Sequence, residues 1–146
     1  MEEILELKEL LQQQDYQGAL LLIEEMEEMG RKAIIDQIYS YVVILLLHLI
    51  KQAAEKRTTK SWDVSIRNSC RQIERGNKRR KAGDYYLQDL EIKQIIDEAW
   101  ENAIDKASLE AFEGIYDSDE LLELIDSQKI LDQAFELILA ERRKKN

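Results

Sequence analysis

Proline is absent from this chain, and glycine occurs only 5 times in 146 residues. Without proline nothing breaks a helix from within. With so few glycines, the left-handed turns that glycine makes cheap are scarce too. The residues that dominate instead, Leu, Ile, Glu, Lys, Gln and Ala, form helices or are tolerated in them. No window of strand length alternates polar and apolar residues. These shortages predict an all-α fold, a single helical domain over residues 1–146 that is large enough to bury a core.

Cysteine and histidine are nearly absent as well. The lone Cys70 excludes an internal disulfide framework and fits a reducing compartment. A zinc or di-iron site needs more His or Cys than this chain has. An all-carboxylate magnesium site would want a dedicated loop, and none is legible. No metal and no cofactor is therefore expected. Positive charge is in deficit, with 21 Lys and Arg against 30 Asp and Glu and a net charge of -9. That argues against a surface generally coated by nucleic acid. The start, Met1-Glu2-Glu3, is acidic, whereas a secretory signal begins basic. The expected location is the cytoplasm.

Long apolar runs are also lacking, with one exception, Tyr41-Val42-Val43-Ile44-Leu45-Leu46-Leu47-His48-Leu49-Ile50. A membrane span needs about 20 mostly apolar residues, and this run is about half that. Extending it back to Ala33 brings in Asp36, Gln37 and Ser40, so no membrane partner is expected. A helix apolar on every side must be covered on every side. The run is thus expected to be the central helix, about residues 31–56, of a bundle.

The rest of the chain supplies its neighbours. Ile4, Leu7 and Leu11, with Leu10 beside them, make an apolar stripe on a first short helix over residues 2–14. Asp15 is a candidate N-cap for a second helix. That helix carries Leu20, Ile23 and Met26 on one face and the acidic Glu24, Glu25, Glu27 and Glu28 on another. Gly30 is expected to end it. After the central helix, Ser61 is expected to cap a fourth, running from Trp62 to about Arg75, with Trp62, Ile66, Cys70 and Ile73 facing the core. Gly76-Asn77 can end it. A fifth helix is expected over residues 89–113, lined by Ile92, Ile96, Ala99, Ala103 and Ala107 and ended by Gly114. Asp117 to Glu120 outlines a capping box. Ser127 is read as the cap of a last helix in which Leu131, Ala134, Phe135 and Ile138 share a face. Leu137 and Leu139 fall off that face, which points to a self-association surface there.

From Glu24 to Glu74 the residues resemble a bacterial family, common in cyanobacteria, known as domain of unknown function number twenty-nine. The resemblance is carried by Ile23-Glu24-Glu25-Met26-Glu27-Glu28-Met29-Gly30-Arg31 and Leu45-Leu46-Leu47-His48-Leu49-Ile50-Lys51. Ser61-Trp62-Asp63-Val64-Ser65-Ile66-Arg67 and Arg71-Gln72-Ile73-Glu74 follow. A weaker match continues through Ile95-Ile96-Asp97-Glu98-Ala99-Trp100 and Ala103 to Gly114. The family-like core is thus about residues 1–114. Residues 115–146 diverge and lack the family's usual segment containing Pro and Trp. The resemblance implies an all-helical domain and carries no established activity.

Charge is segregated along the chain. Residues 51–81 hold 11 basic and 3 acidic side chains, a balance of +8, flanked by -7 before and -10 after. Arg67, Arg71 and Arg75 recur every four residues and so form a row on one helix face. Lys78, Arg79, Arg80 and Lys81 follow in a loop. Guanidinium rows suit phosphate because each can bind two oxygens at once, and the loop could reach a nucleic-acid backbone or an acidic partner. Tyr85 and Tyr86 could stack on bases. The plainer reading is that the basic row neutralises the acidic flanks, within one chain or between two. No helix-turn-helix, RNP or KH signature accompanies it.

His48 is the other polar site considered. Its ordinary pKa near neutrality suits a general base, with carboxylates such as Glu24 or Glu28 as partners. Its place inside the apolar run favours a core imidazole instead. Cys70 beside Arg67 and Arg71 could be a thiolate, but burial opposes that. No catalytic residue is assigned, and the chain leans away from being an enzyme. The leading expectation is a non-enzymatic protein–protein interaction module, self-association included, with Arg67, Arg71, Arg75 and the 78–81 loop as its contact surface. The alternative is a nucleic-acid-binding accessory protein using the same residues.

Overall fold

The structure, a computed structural model, describes residues 2–79 and 84–144. Six α-helices account for most of them: α1 (Glu2–Gln12), α2 (Tyr16–Glu55), α3 (Lys60–Asn77), α4 (Asp89–Glu110), α5 (Ser118–Glu123) and α6 (Ser127–Arg143). A 3₁₀ turn, Ala111–Gly114, follows α4. Among the described residues there is no β-strand. One isolated antiparallel bridge joins Lys78 to Tyr85.

The chain divides into two compact units, Met1–Ile35 and Asp36–Asn146. In the first, α1 and the start of α2 are joined by a turn in which Gln14 takes a left-handed conformation (φ 63°). The Asp15 carboxylate accepts the Gly18 amide at 3.0 Å, so Asp15 does open the helix that follows. Among the described residues of this unit only Ala19 and Leu22 are buried, and no residue of α1 is. Gly30 does not end a helix. It lies inside α2, which runs unbroken for 40 residues and merges the second and third helices expected from the sequence. A mid-helix glycine costs about 1 kcal/mol, too little to break hydrogen bonding that continues on both sides.

In the second unit the remainder of α2 is the centre, with the other helices packed around it. Ile38, Val42, Leu45, Leu46 and Ile50 are fully enclosed. The cover is incomplete on one side, where Tyr41, Ile44 and His48 are half-buried at i, i+3 and i+7. By length and composition α2 could also cross a membrane, though 44% of its most apolar window is buried inside the fold. Ile66, Cys70 and Ile73 of α3 and Ile92, Ile96, Ala99, Ala103 and Ala107 of α4 are buried, as their spacing predicted. The C-terminal end of α3 approaches α2 at Gly76, where a Cβ would lie 3.6 Å from the Gln37 side chain. Helix α6 packs on α3 and α4, burying Ile130, Ala134 and Ile138 while Leu131, Phe135, Leu137 and Leu139 stay half-buried.

Several helix ends differ from expectation by a residue or two. Thr59, rather than Ser61, caps α3, its hydroxyl accepting the Trp62 amide at 3.1 Å. Asp126, rather than Ser127, caps α6 by accepting the Lys129 amide. The capping box of Asp117 and Glu120 is formed as read. Helix α4 stops at Glu110, three residues early, because Phe112, Glu113 and Gly114 all have positive φ.

Candidate binding face and buried polar cluster

Helix α3 is strongly two-sided. Its inner side buries Trp62, Ile66, Ser69, Cys70, Ile73, Glu74 and Asn77. Its outer side exposes Lys60, Val64, Arg67, Asn68, Arg71 and Arg75. Consecutive arginines of the row are separated by about 6 Å along the axis, since each residue rises about 1.5 Å. Among the described residues none of the three guanidiniums makes a hydrogen bond or ion pair. The two acidic residues of α3 are both turned to internal use. Asp63 accepts hydrogen bonds from the Thr58 hydroxyl (2.7 Å) and from Gln52 (3.3 Å). Glu74 is buried and accepts the Tyr85 hydroxyl at 3.0 Å. The outer face of α3 therefore presents positive charge with no carboxylate of its own helix beside it.

The basic segment continues past α3. Lys78 and Arg79 are exposed, whereas Arg80 and Lys81 lie outside the described residues. The base of this loop is held firmly. Asn77, itself buried, takes the Leu87 amide on its carbonyl oxygen (2.8 Å) and gives its amide to the Leu87 carbonyl (3.3 Å). The Tyr86 amide donates to the Asn77 carbonyl and the Arg79 amide to the Asp84 carbonyl. The two tyrosines differ. Tyr85 is not available for stacking on bases, because the Arg142 guanidinium already lies 3.9 Å from its ring centre and its hydroxyl is committed to Glu74. Burial, and then the hydrogen bond to Glu74, raise its pKa. Tyr86 is exposed, with the Arg79 guanidinium 5.6 Å from its ring. Arg142 also pairs with Asp89 at 2.7 Å, so the end of α6 clamps the loop base to the start of α4.

The second feature was not foreseen. Lys51 closes the apolar run and is buried, its ammonium 2.9 Å from the Glu110 carboxylate and 4.6 Å from the Trp62 ring centre. Arg57 lies 4.8 Å from the same ring and pairs with Glu55 at 2.9 Å. The other Glu55 oxygen accepts the Phe112 amide, which ties the end of α2 to the left-handed turn after α4. A cavity of about 350 Å³ is lined by these residues with Glu113 and Ile115. The sequence signal was present: a lysine that ends a long apolar run on a helix must find a buried anion. His48 sits one turn before Lys51, and its Nδ1 is buried without a hydrogen-bond partner among the described residues. Burial and, second, the Lys51 charge lower its pKa, with Glu110 opposing. Its surroundings thus favour the neutral imidazole, and it is not among the residues lining the cavity. Cys70 is not a thiolate either. Burial, reinforced by Glu141, pushes its pKa up to about 11, and the basic row that was to activate it points outward.

In the first unit Glu24, Glu25, Glu27 and Glu28 are all exposed and make no hydrogen bond or ion pair among the described residues. No group of three or more His, Cys, Asp or Glu among the described residues could hold a metal ion.

Fold and surface together define an all-helical domain with an open basic face and a Lys51–Glu110 pair held against Trp62. The chain belongs to the family described as "Domain of unknown function DUF29", whose model matches residues 4–135. The match continues past Gly114 into α6, further than the motifs read from the sequence extended. No curated protein and no solved structure matches the chain.

Proposed function

We propose that this chain is a non-enzymatic protein–protein interaction module of a bacterial cytoplasm, and that it grips an acidic partner with the outer face of α3. The observation that carries this reading is the row Arg67, Arg71 and Arg75, exposed and without an ion pair among the described residues. Lys78 and Arg79, both exposed, extend the same contact surface. An arginine that gains no intramolecular partner is free to make bidentate bonds to carboxylates elsewhere. Exposed apolar surface supports a protein partner as well. Val64 on α3 is 45% exposed, and Leu109 and Ile115 are more so.

A second reading is favoured by one specific observation, the lack of an exposed carboxylate on the outer face of α3. A nucleic-acid backbone would meet no repulsion from that helix. Fluorescence anisotropy separates the two. Labelled polyglutamate peptide and labelled mixed-sequence DNA and RNA are titrated with the wild-type chain and with Arg67→Glu/Arg71→Glu/Arg75→Glu. The interaction reading expects peptide binding that the variant loses. Binding of DNA or RNA in preference to the peptide, falling steeply with salt, would replace it with the second reading. Binding of neither probe at low salt would remove both.

A further inference from the structure

The start of α2 and the outer face of α3 carry matching patterns of opposite charge. On α2, Leu20 and Leu21 are 60% and 63% exposed, and Glu24, Glu27 and Glu28 follow them. At about 100° per residue these five fall within about a third of the helix circumference. On α3, Val64 comes first and Arg67, Arg71 and Arg75 follow, within an even narrower sector of about 80°. Each pattern thus begins with exposed apolar side chains and continues into unpaired charge, negative on one helix and positive on the other. The charges are segregated along the chain, with residues 1–35 at -6 and residues 51–81 at +8.

We propose that the acidic partner of the α3 face is a second copy of this chain, which docks residues 20–28 of its α2 in parallel on residues 64–75 of α3. This rests on the basic-face reading above and names its partner. Parallel docking sets Leu20 and Leu21 against Val64, and Glu24 and Glu28 against Arg67 and Arg71. Both charge pairs repeat at about 6 Å along their helices, so they stay in register. Antiparallel docking would place the leucines beside Arg75 and waste the match. The two surfaces differ, so copies either pair reciprocally about a two-fold axis, each giving its α2 to the other's α3, or add head to tail into a ring or an open chain. Segregated charge lets a protein of net charge -9 attract itself at this contact despite repulsion overall.

Sedimentation equilibrium of the full chain tests this. The weight-average mass is expected to rise with concentration above the 17.2 kDa of one copy. The association should weaken about tenfold between about 0.05 M and about 0.5 M salt, because the charge pairs are exposed and screened. Two variants sharpen it: Glu24→Lys/Glu27→Lys/Glu28→Lys and Arg67→Glu/Arg71→Glu/Arg75→Glu. Each alone is expected to be monomeric, and an equimolar mixture to associate again, because each then offers what the other lacks. That rescue also shows both variants to be folded. A wild-type chain that stays monomeric at low salt, or association that neither reversal disturbs, or a mixture that fails to associate, would overturn the proposal. If the wild type is monomeric yet binds polyglutamate through the arginine row, the self-partner fails while the basic-face reading stands.

Discussion

Helices α1 and α4 share the same helix-forming residues, Leu, Ile, Glu, Lys and Gln. Yet α1 buries nothing over 11 residues, whereas α4 buries seven side chains over 22. Both have an apolar stripe at helical spacing. What separates them is the number of neighbours. Helix α4 meets α5, α6 and the turn after itself, so Ile92, Ile96 and Ala99 are shut off from water. In the first unit the stripe of α1 is left with Ile4 and Leu11 about half exposed. Amphipathic spacing states which face a helix could bury, and packing decides whether it does.

The largest expected effect that tests this contrast is Leu46→Ala. Leu46 is fully enclosed in the centre of the second unit, and removing it leaves a cavity. Urea unfolding followed by circular dichroism should show a loss of about 2–5 kcal/mol. Asn77→Ala should follow, at about 2–4 kcal/mol. It leaves the buried Leu87 amide and carbonyl without their partner. An intermediate effect is one of pH. His48 has its pKa lowered in the fold, so the unfolded chain takes up its proton first as pH falls. Its contribution is present above about pH 6.5 and is lost as pH drops through the folded-state value. Thermal melts should therefore fall with pH on the acid side, and His48→Gln should flatten that slope. Smallest is Leu11→Ala in α1, expected within about 0.5 kcal/mol. A loss as large as that of Leu46→Ala would mean that α1 is buried in solution by a partner, and the contrast would dissolve.

Much of the fold was legible in the sequence. The run from Val42 to Ile50, the inward rows of α3 and α4, the Asp15 cap and the box at Asp117 all express local rules, and local rules act without knowledge of the rest of the chain. Gly30 misled because glycine marks a helix end only where the chain also needs a left-handed residue. That need arises at Gly114, as expected, and at Gln14, Lys56, Phe112 and Glu113, which are not glycine. The basic row was legible and lies where its spacing put it. The Lys51, Trp62 and Glu110 cluster was not, because Lys51 and Glu110 are 59 residues apart and only the tertiary fold makes them neighbours. The role imagined for Tyr85 failed for the same reason, since Arg142 and Glu74 reach it from other helices.

The loop that follows α3 is closed at its root by Asn77, by the Arg79–Asp84 backbone bond and by the Lys78–Tyr85 bridge. Arg79 and Asp84 are thereby held one backbone hydrogen bond apart, as a fixed pair of anchor points. A peptide joined between those anchors would meet ends already brought together, so each doubling of the connecting length adds an entropic cost of only about 0.6 kcal/mol.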